Sequence, residues 1–492
     1  MTEREAVAPE RLGAAFARGV AWSAVARTLS QTIAWASTLY VARYLSASDY
    51  GLFGLAMLYL AFLQLVADLG LGTAVLANRH LTDEDLPQIN GLARLGGLAG
   101  TLLVIVTSPL LGMFFRAPQL PILLVALSPT FFVNSFRTVP QTLLQREFRF
   151  KWLAILDATQ GIMLAALNIT LARAGFGYWT LAIAALVSSV VNTAVVVARR
   201  PVPAAWPSLA RLRTTLLFST QVVLQRIAWY ISSNADFVVA GRVLGQSSAG
   251  EYMLAWNFAN APLERVGNLI LAVSPSVLGA ARGNLAALRK HVLQATQMIA
   301  WVVFPMCVGM ALVARPFITH FLGIQWAPSV VPMQMLAAYT AVRSLVPLFG
   351  QVLLVVNEEH YATRLMFINI VVMTTAFLIG ASVGGVNGIA VAYLIAHPFV
   401  ASAYVARALE RIEYPKAEFF REGILPPLIC TLVMAAGVTV VARLAVGMPL
   451  GVGLLAQIIA GVVSYTAIAI VLFGHRVSAL LATSKLRPLA EA

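Results

Sequence analysis

Arg43-Tyr-Leu-Ser-Ala-Ser-Asp-Tyr-Gly-Leu-Phe-Gly-Leu-Ala56 returns 199 residues downstream as Arg242-Val-Leu-Gly-Gln-Ser-Ser-Ala-Gly-Glu-Tyr-Met-Leu-Ala255. Six of the fourteen positions are identical: the Arg, a Leu, a Ser, a Gly and the closing Leu-Ala. The same offset lays Arg27 on Arg226, and with a drift of seven or eight residues Arg137-Thr-Val-Pro140 falls near Arg343-Ser-Leu-Val-Pro347. Apolar segments match one another through Leu and Ala alone, but the shared Arg and Gly are harder to obtain by chance. The chain therefore reads as two copies of one bundle, residues 1–200 and 201–410, followed by a shorter piece, 411–492.

Each copy is built from apolar runs. The 492 residues are 60% hydrophobic and 11% charged, too few polar groups to cover a water-soluble domain. Runs of about 20 apolar residues recur throughout, each long enough to cross a hydrocarbon core of about 30 Å. They are expected at 20–42, 51–75, 91–115, 121–144, 152–172, 178–197, 215–240, 252–278, 292–313, 331–356, 366–383, 389–406, 425–446 and 452–473. The fold class is all-α: a polytopic membrane protein of about fourteen transmembrane helices, two six-helix bundles plus a C-terminal pair. Six is even, so the copies share one orientation, as parallel repeats about an axis along the membrane normal do.

The net charge of +14 comes from Lys and Arg scattered over many short loops, not from one basic patch, which argues against nucleic acid. Assigned to alternate sides of the fourteen spans, these residues favour the side of the two termini by nearly four to one. By the positive-inside rule both termini are cytoplasmic, and the expected location is the bacterial inner membrane. The polar start, Met1 to Ala17, runs into the first span without a small-residue cleavage site, so an uncleaved first helix is expected. Cys307 and Cys430 each lie in an apolar run and read as small buried hydrophobes.

A charge within a span costs roughly 3 kcal/mol or more on insertion scales, so it faces a cavity or a partner. The basic set is Arg27, Arg137, Arg226, Arg265 and Arg343, drawn from both repeats. These arginines either converge on a cavity open to the cytoplasm or snorkel and pair structurally. In the first case the natural ligand is a diphosphate, which guanidinium groups bind bidentately while staying charged. Asp68, Asp157, Asp236 and Glu264 are acidic residues within spans, each a proton or cation site or else the partner of an Arg. Asp236 and Asn234, with Asn369, offer an oxygen-rich set for a coupling cation. Trp22, Trp35, Trp229, Tyr230 and Trp256 either stack on sugar faces or belong to the interfacial belt. Gln31, Gln160, Gln221 and Gln225 add hydrogen-bonding groups at membrane depth.

No P-loop, no Gly-x-Ser-x-Gly elbow and no His pair at metal-ligand spacing is present in the sequence, so no catalytic residue, cofactor or resident metal is expected. Asp83-Glu84-Asp85 imitates a sugar-nucleotide metal motif, but it sits in a short loop with no nucleotide-binding domain around it.

Three segments carry a family resemblance: Arg43 to Ala56 with Asp68-Leu-Gly-Leu-Gly-Thr-Ala-Val-Leu76, Val139-Pro-Gln-Thr-Leu-Leu-Gln-Arg-Glu-Phe-Arg-Phe-Lys151, and Gly175-Phe-Gly-Tyr-Trp-Thr-Leu181. Together they resemble polysaccharide exporters of the Wzx type, within the multidrug/oligosaccharidyl-lipid/polysaccharide exporter superfamily, over essentially the whole chain. The resemblance implies a V-shaped pair of six-helix bundles. It also implies a flippase that moves undecaprenyl-diphosphate-linked oligosaccharide from the cytoplasmic to the periplasmic leaflet by alternating access. Related flippases place cavity arginines on the first and eighth spans, the spans of Arg27 and Arg265 here. The last two spans look like the pair that lipid II flippases use as a groove for the lipid tail. Membrane lipids, a polysaccharide polymerase and a co-polymerase are the implied partners. A cation-coupled antiporter of the same superfamily is the alternative; it usually has twelve spans and a less basic cavity. A membrane polymerase usually carries a large charged periplasmic loop, which this sequence lacks.

Overall fold

The computed structural model describes residues 33–67, 75, 85–208 and 226–484. All regular structure among them is helical, as a bilayer demands of a chain that must satisfy its own backbone groups. Ten helices among the described residues are long and apolar enough to cross a membrane. This is consistent with fourteen spans. The helix Glu359–Arg411 holds two of them, folded back at Gly385 (φ 57°, ψ −137°). The first and seventh lie partly outside the described residues, and the eighth is interrupted.

The chain divides into two compact units, Met1–Asn234 with Gly245–Gly250, and Ala235–Leu244 with Glu251–Ala492. The first contains α1 (33–41), α2 (Ala47–Ala67), α3 (Asp85–Phe115), α4 (Leu120–Leu127), α5 (Pro129–Arg146), α6 (Phe150–Arg173) and α7 (Trp179–Arg199). The repeat motif forms the start of α2. Ser46 and Asp49 make a reciprocal cap: the Ser46 backbone N–H and hydroxyl donate to Asp49 at 2.9 and 2.7 Å, and the Asp49 N–H donates to Ser46 Oγ at 3.1 Å. The other Asp49 carboxylate oxygen accepts the Tyr178 N–H at 3.2 Å. Two of the segments that carry the family resemblance therefore meet here. Asp49→Ala should lower stability by about 1–2 kcal/mol, the worth of a cap plus one hydrogen bond. Thermal unfolding in detergent measures it, and an unchanged midpoint would show the cap to be idle.

The fourth expected span, 121–144, is not one helix. It breaks at Ser128, because Pro129 brings no N–H to continue the ladder. The Ser128 carbonyl accepts both the Phe131 N–H, at 3.1 Å, and Thr101 Oγ1 from α3, also at 3.1 Å. The loop after α7 is pinned to α3: Asn90 Nδ2 donates to the carbonyls of Val202 and Pro203 at 2.9 and 3.1 Å, and the Ala205 N–H to Pro87 at 2.9 Å.

The two copies of the repeat also touch inside this unit. A Cβ on Gly51 would collide with the Gln246 carbonyl oxygen, and one on Gly250 with that of Ala47. The offset of 199 pairs Gly51 with Gly250 and Ala47 with Gln246. The contact is thus reciprocal, i to j and j to i, as a two-fold relation requires.

The second unit takes over within α8 (226–239) and continues through α9 (Gln246–Pro262), α10 (Asn268–Ala280), α11 (Leu285–Phe317), α12 (Val330–Arg343), α13 (Val346–Val355), α14 (Glu359–Arg411), α15 (Lys416–Phe419), α16 (Leu425–Leu444) and α17 (Leu450–Ser484). A wider π turn at Leu263–Gly267 interrupts what the sequence reads as a uniform eighth span, and another at Ala240–Leu244 follows the seventh. The tenth expected span breaks between α12 and α13, where Pro347 sits in the first turn of α13. Val292, Ile299, Val303, Leu348, Phe349, Val352 and Leu409 form the buried core. The two arms of α14 cross where Gly380 and Gly388 leave no room for a Cβ, and Tyr404 Oη donates to the Ala362 carbonyl at 3.1 Å. At their shared end Glu358 accepts from both Arg407, at 3.0 Å, and Arg411. Glu358→Ala leaves two guanidinium groups facing each other, and a loss of about 1 kcal/mol in thermal unfolding is expected for this half-screened network. A midpoint equal to wild type would remove the network from the account. The C-terminal pair, α16 and α17, packs on α11, with Tyr465 Oη donating to the Trp301 carbonyl at 2.7 Å.

Candidate functional site

On α5 the polar residues Thr130, Asn134, Arg137, Gln141 and Gln145 recur at intervals of three or four, which puts them on one face of the helix, with Thr138 beside them. That face opens on a cavity of about 500 Å³, lined also by Met57, Leu60 and Gln64 of α2 and by Ser189 of α7. The size is that of a small-ligand site. Among the described residues that line it, Arg137 is the one that carries a charge. Ser189 Oγ donates to Asn134 Oδ1 at 2.7 Å, fixing that amide so that its NH2 is left to the cavity. Polar side chains at this depth are tolerated only against protein, water or a ligand.

A second polar centre lies in the second unit, at the end of α12. Arg343 Nη1 donates to Asn260 Oδ1 at 3.3 Å, and the guanidinium carbon stands 5.3 Å from the ring centre of Trp256 and 5.9 Å from that of Tyr339. Glu264, in the π turn of the eighth span, lies within electrostatic reach of both Arg343 and Arg265. Behind these groups is an aromatic box. Tyr339 and Tyr393 stack at 4.3 Å, Trp256 lies 5.3 Å from Tyr393, and His397 meets Tyr339 edge-on at 4.9 Å. Asp236 is completely buried and accepts the Tyr252 hydroxyl at 2.6 Å. Tyr252→Phe removes that donor from a buried carboxyl and should cost about 2–3 kcal/mol. A cysteine-protection or thermal scan that sees no loss would show that the pair is not holding the box.

The arginines of the sequence reading thus fall in different places. Arg137 lines the first unit's cavity. Arg343, Arg265, Glu264 and Asp236 gather in the second unit. Arg226 is exposed at the start of described α8, and Asp157 is exposed on α6. Asn234 spends its amide on its own helix, donating to the Tyr230 carbonyl at 2.8 Å. Asn369 carries a buried Oδ1 with no hydrogen bond in the structure. Gln160 bonds Asn192 on α7. Arg27, Asp68, Trp22, Gln31, Gln221 and Gln225 lie outside the described residues. No cluster of three or more His, Cys, Asp or Glu able to hold a metal occurs among the described residues. Cys307 and Cys430 are both buried and unpaired. The sequence reading passed over Gln64, Asn134, Gln141 and Gln145. The spacing along α5 was the available signal, since four polar positions at helical intervals are unusual in a span. Nothing comparable marked Asn260, and of the aromatic box, whose members come from α9, α12 and α14, Trp256 alone was singled out.

A helical, multi-pass membrane protein with polar centres at membrane depth is what this geometry defines. Residues 40–331 match the polysaccharide biosynthesis protein family, and the chain belongs to that family. It is 24% identical over 384 residues to the lipopolysaccharide biosynthesis protein WzxC of Escherichia coli (strain K12), covering 77% of each chain. To the succinoglycan biosynthesis transport protein ExoT of Rhizobium meliloti (strain 1021) it is 26% identical over 311 residues, 63% of each chain. Among solved structures it superimposes on the lipid II flippase MurJ in an inward closed conformation with a TM-score of 0.73 and 15% identity, covering 94% of this chain and 99% of that one. The last likeness is one of fold. The resemblance to Wzx-type exporters read from the sequence stands on the family match and these relatives.

Proposed function

We propose that this protein is a flippase for undecaprenyl-diphosphate-linked oligosaccharide repeat units, carrying them from the cytoplasmic to the periplasmic leaflet of the inner membrane by alternating access. The polymer served is an exopolysaccharide, a capsule or an O-antigen. The observation that carries the reading is the cavity on α5, where an arginine stands among hydroxyls and carboxamides. Such a lining suits an anionic group attached to a sugar. The named roles of the relatives, polysaccharide biosynthesis and transport, support it.

In this reading residues 1–200 and 201–410 are the two lobes, 411–492 adds the last helix pair, and both termini are cytoplasmic. Arg27, Arg137, Arg226, Arg265 and Arg343 supply the positive charge that draws the diphosphate. Asp236, with Asn234, Asn369, Asp68 and Asp157 as further candidates, carries the coupling ion. The protein binds and moves its substrate without breaking bonds; a polymerase and a co-polymerase act on the product.

The test is leaflet transfer of a fluorescent undecaprenyl-diphosphate oligosaccharide in proteoliposomes. Protein-dependent transfer that falls at least tenfold in Arg137→Ala, with thermal unfolding intact, is expected, since a hydrogen bond to a charged group is worth about 1.5–3 kcal/mol. Transfer by wild type that ignores Arg137→Ala would keep the function and discard this site. No transfer under any imposed ion gradient would discard the function.

A further inference from the structure

We infer that the carboxamide face of α5 reads the hydroxyl groups of the sugar next to the diphosphate, so that the first unit's cavity selects among glycans rather than merely holding charge. The inference rests on the flippase reading and adds a selecting subsite to it.

Four observations converge. Asn134, Gln141 and Gln145 project from one helix face, and Gln64 reaches the same cavity from α2. The side chains of Gln141 and Gln145 are half-buried, yet neither makes a hydrogen bond with another described residue. In hydrocarbon such groups are expensive unless water or a ligand completes them. Asn134 is oriented by Ser189, which fills its carbonyl oxygen and leaves two N–H donors.

A carboxamide offers donors and an acceptor at a fixed spacing, which is what a pair of neighbouring sugar hydroxyls presents in reverse. Arg137 stands three residues from Asn134 and four from Gln141 on the same face, so an anion held by Arg137 places the attached sugar among the amides. Among the described residues no carboxylate lines the cavity, a lining that suits a neutral or acidic hexose better than an amino sugar with a free ammonium group. Sites that hydrogen-bond a hydroxyl reject analogues that lack it far more strongly than apolar pockets reject a missing methylene.

The probes are bare undecaprenyl diphosphate and the same lipid carrying one hexose, as two epimers differing at a single hydroxyl. Transfer of each is followed in proteoliposomes for wild type, Asn134→Leu, Gln141→Leu and the double variant. The wild type should distinguish the epimers. The double variant should transfer the preferred sugar-bearing lipid about tenfold or more slowly, as expected for two lost neutral hydrogen bonds. It should also lose the epimer preference and slow the bare diphosphate less than the preferred sugar-bearing lipid. Equal losses on sugar-bearing and bare lipid would overturn the inference and leave the flippase standing, as would an unchanged epimer ratio. A wild type that transfers none of the three lipids would overturn the flippase reading and the subsite with it. Gln141→Asn, which keeps the amide but shortens it, controls for misfolding: an unchanged thermal midpoint with a shifted epimer ratio supports a reading role.

Discussion

Valine at Gly51 or at Gly250 is expected to prevent assembly of the folded protein, with near-equal severity at the two positions. Each glycine faces a backbone carbonyl, Gln246 for Gly51 and Ala47 for Gly250, at a separation that admits hydrogen and nothing larger. Backbone cannot step aside as a flexible side chain does. Even alanine requires the helices to part, and overpacking of a fitted contact costs about 1–3 kcal/mol before any branching is added. Parting them also stretches the hydrogen bond from Gln246 Nε2 to Ser48 Oγ, 2.6 Å long. The equality of the two effects follows from the reciprocity of the contact. Detergent-extracted yield and thermal midpoint of Gly51→Ala, Gly51→Val, Gly250→Ala and Gly250→Val measure it. Wild-type behaviour of both valine variants would show that the helices do not meet there, and a large effect at one site only would show that the relation is not two-fold.

Arg343→Ala is expected to lower transport about tenfold to a hundredfold. Two contributions add. The guanidinium is held by Asn260 and the faces of Trp256 and Tyr339, so its fork is already oriented before a ligand arrives. In the proposed function it then gives an oxyanion charge-assisted hydrogen bonds worth about 1.5–3 kcal/mol, and about 1.4 kcal/mol is a factor of ten. Arg343→Lys should recover only part of the activity, because a point charge neither forks nor stacks as a guanidinium does. The structural share is read separately, as a drop of about 1–2 kcal/mol in unfolding from the lost cation–π and hydrogen-bond contacts. Full transport by Arg343→Ala with lowered stability would reduce Arg343 to a packing residue.

The helical, many-span architecture was readable because a bilayer leaves a chain few options. Each crossing must be a helix of sufficient length, and each helix must satisfy its own backbone. A count of apolar runs therefore carries most of the span list. The breaks at Ser128 and between α12 and α13 follow from prolines visible in the sequence. The π turns at Ala240–Leu244 and Leu263–Gly267 do not, because one extra residue per turn leaves no mark on hydropathy.

Sequence alone also named the chemistry, arginines and a few carboxylates at membrane depth, since the energy of burying charge singles them out wherever they occur. What it left open was their company. Arg137 could have snorkelled; the fold gives it a cavity with Gln64 from α2 and Ser189 from α7. Arg343 and Asp236 could have been strangers; the fold sets both about the Tyr339–Tyr393 stack, with partners from α9 and α14. Membership of the membrane is a property of local composition, summed along the chain. A site is a property of which helix faces turn toward each other, and that is decided by packing between segments more than a hundred residues apart, as with Asp236 and Tyr393.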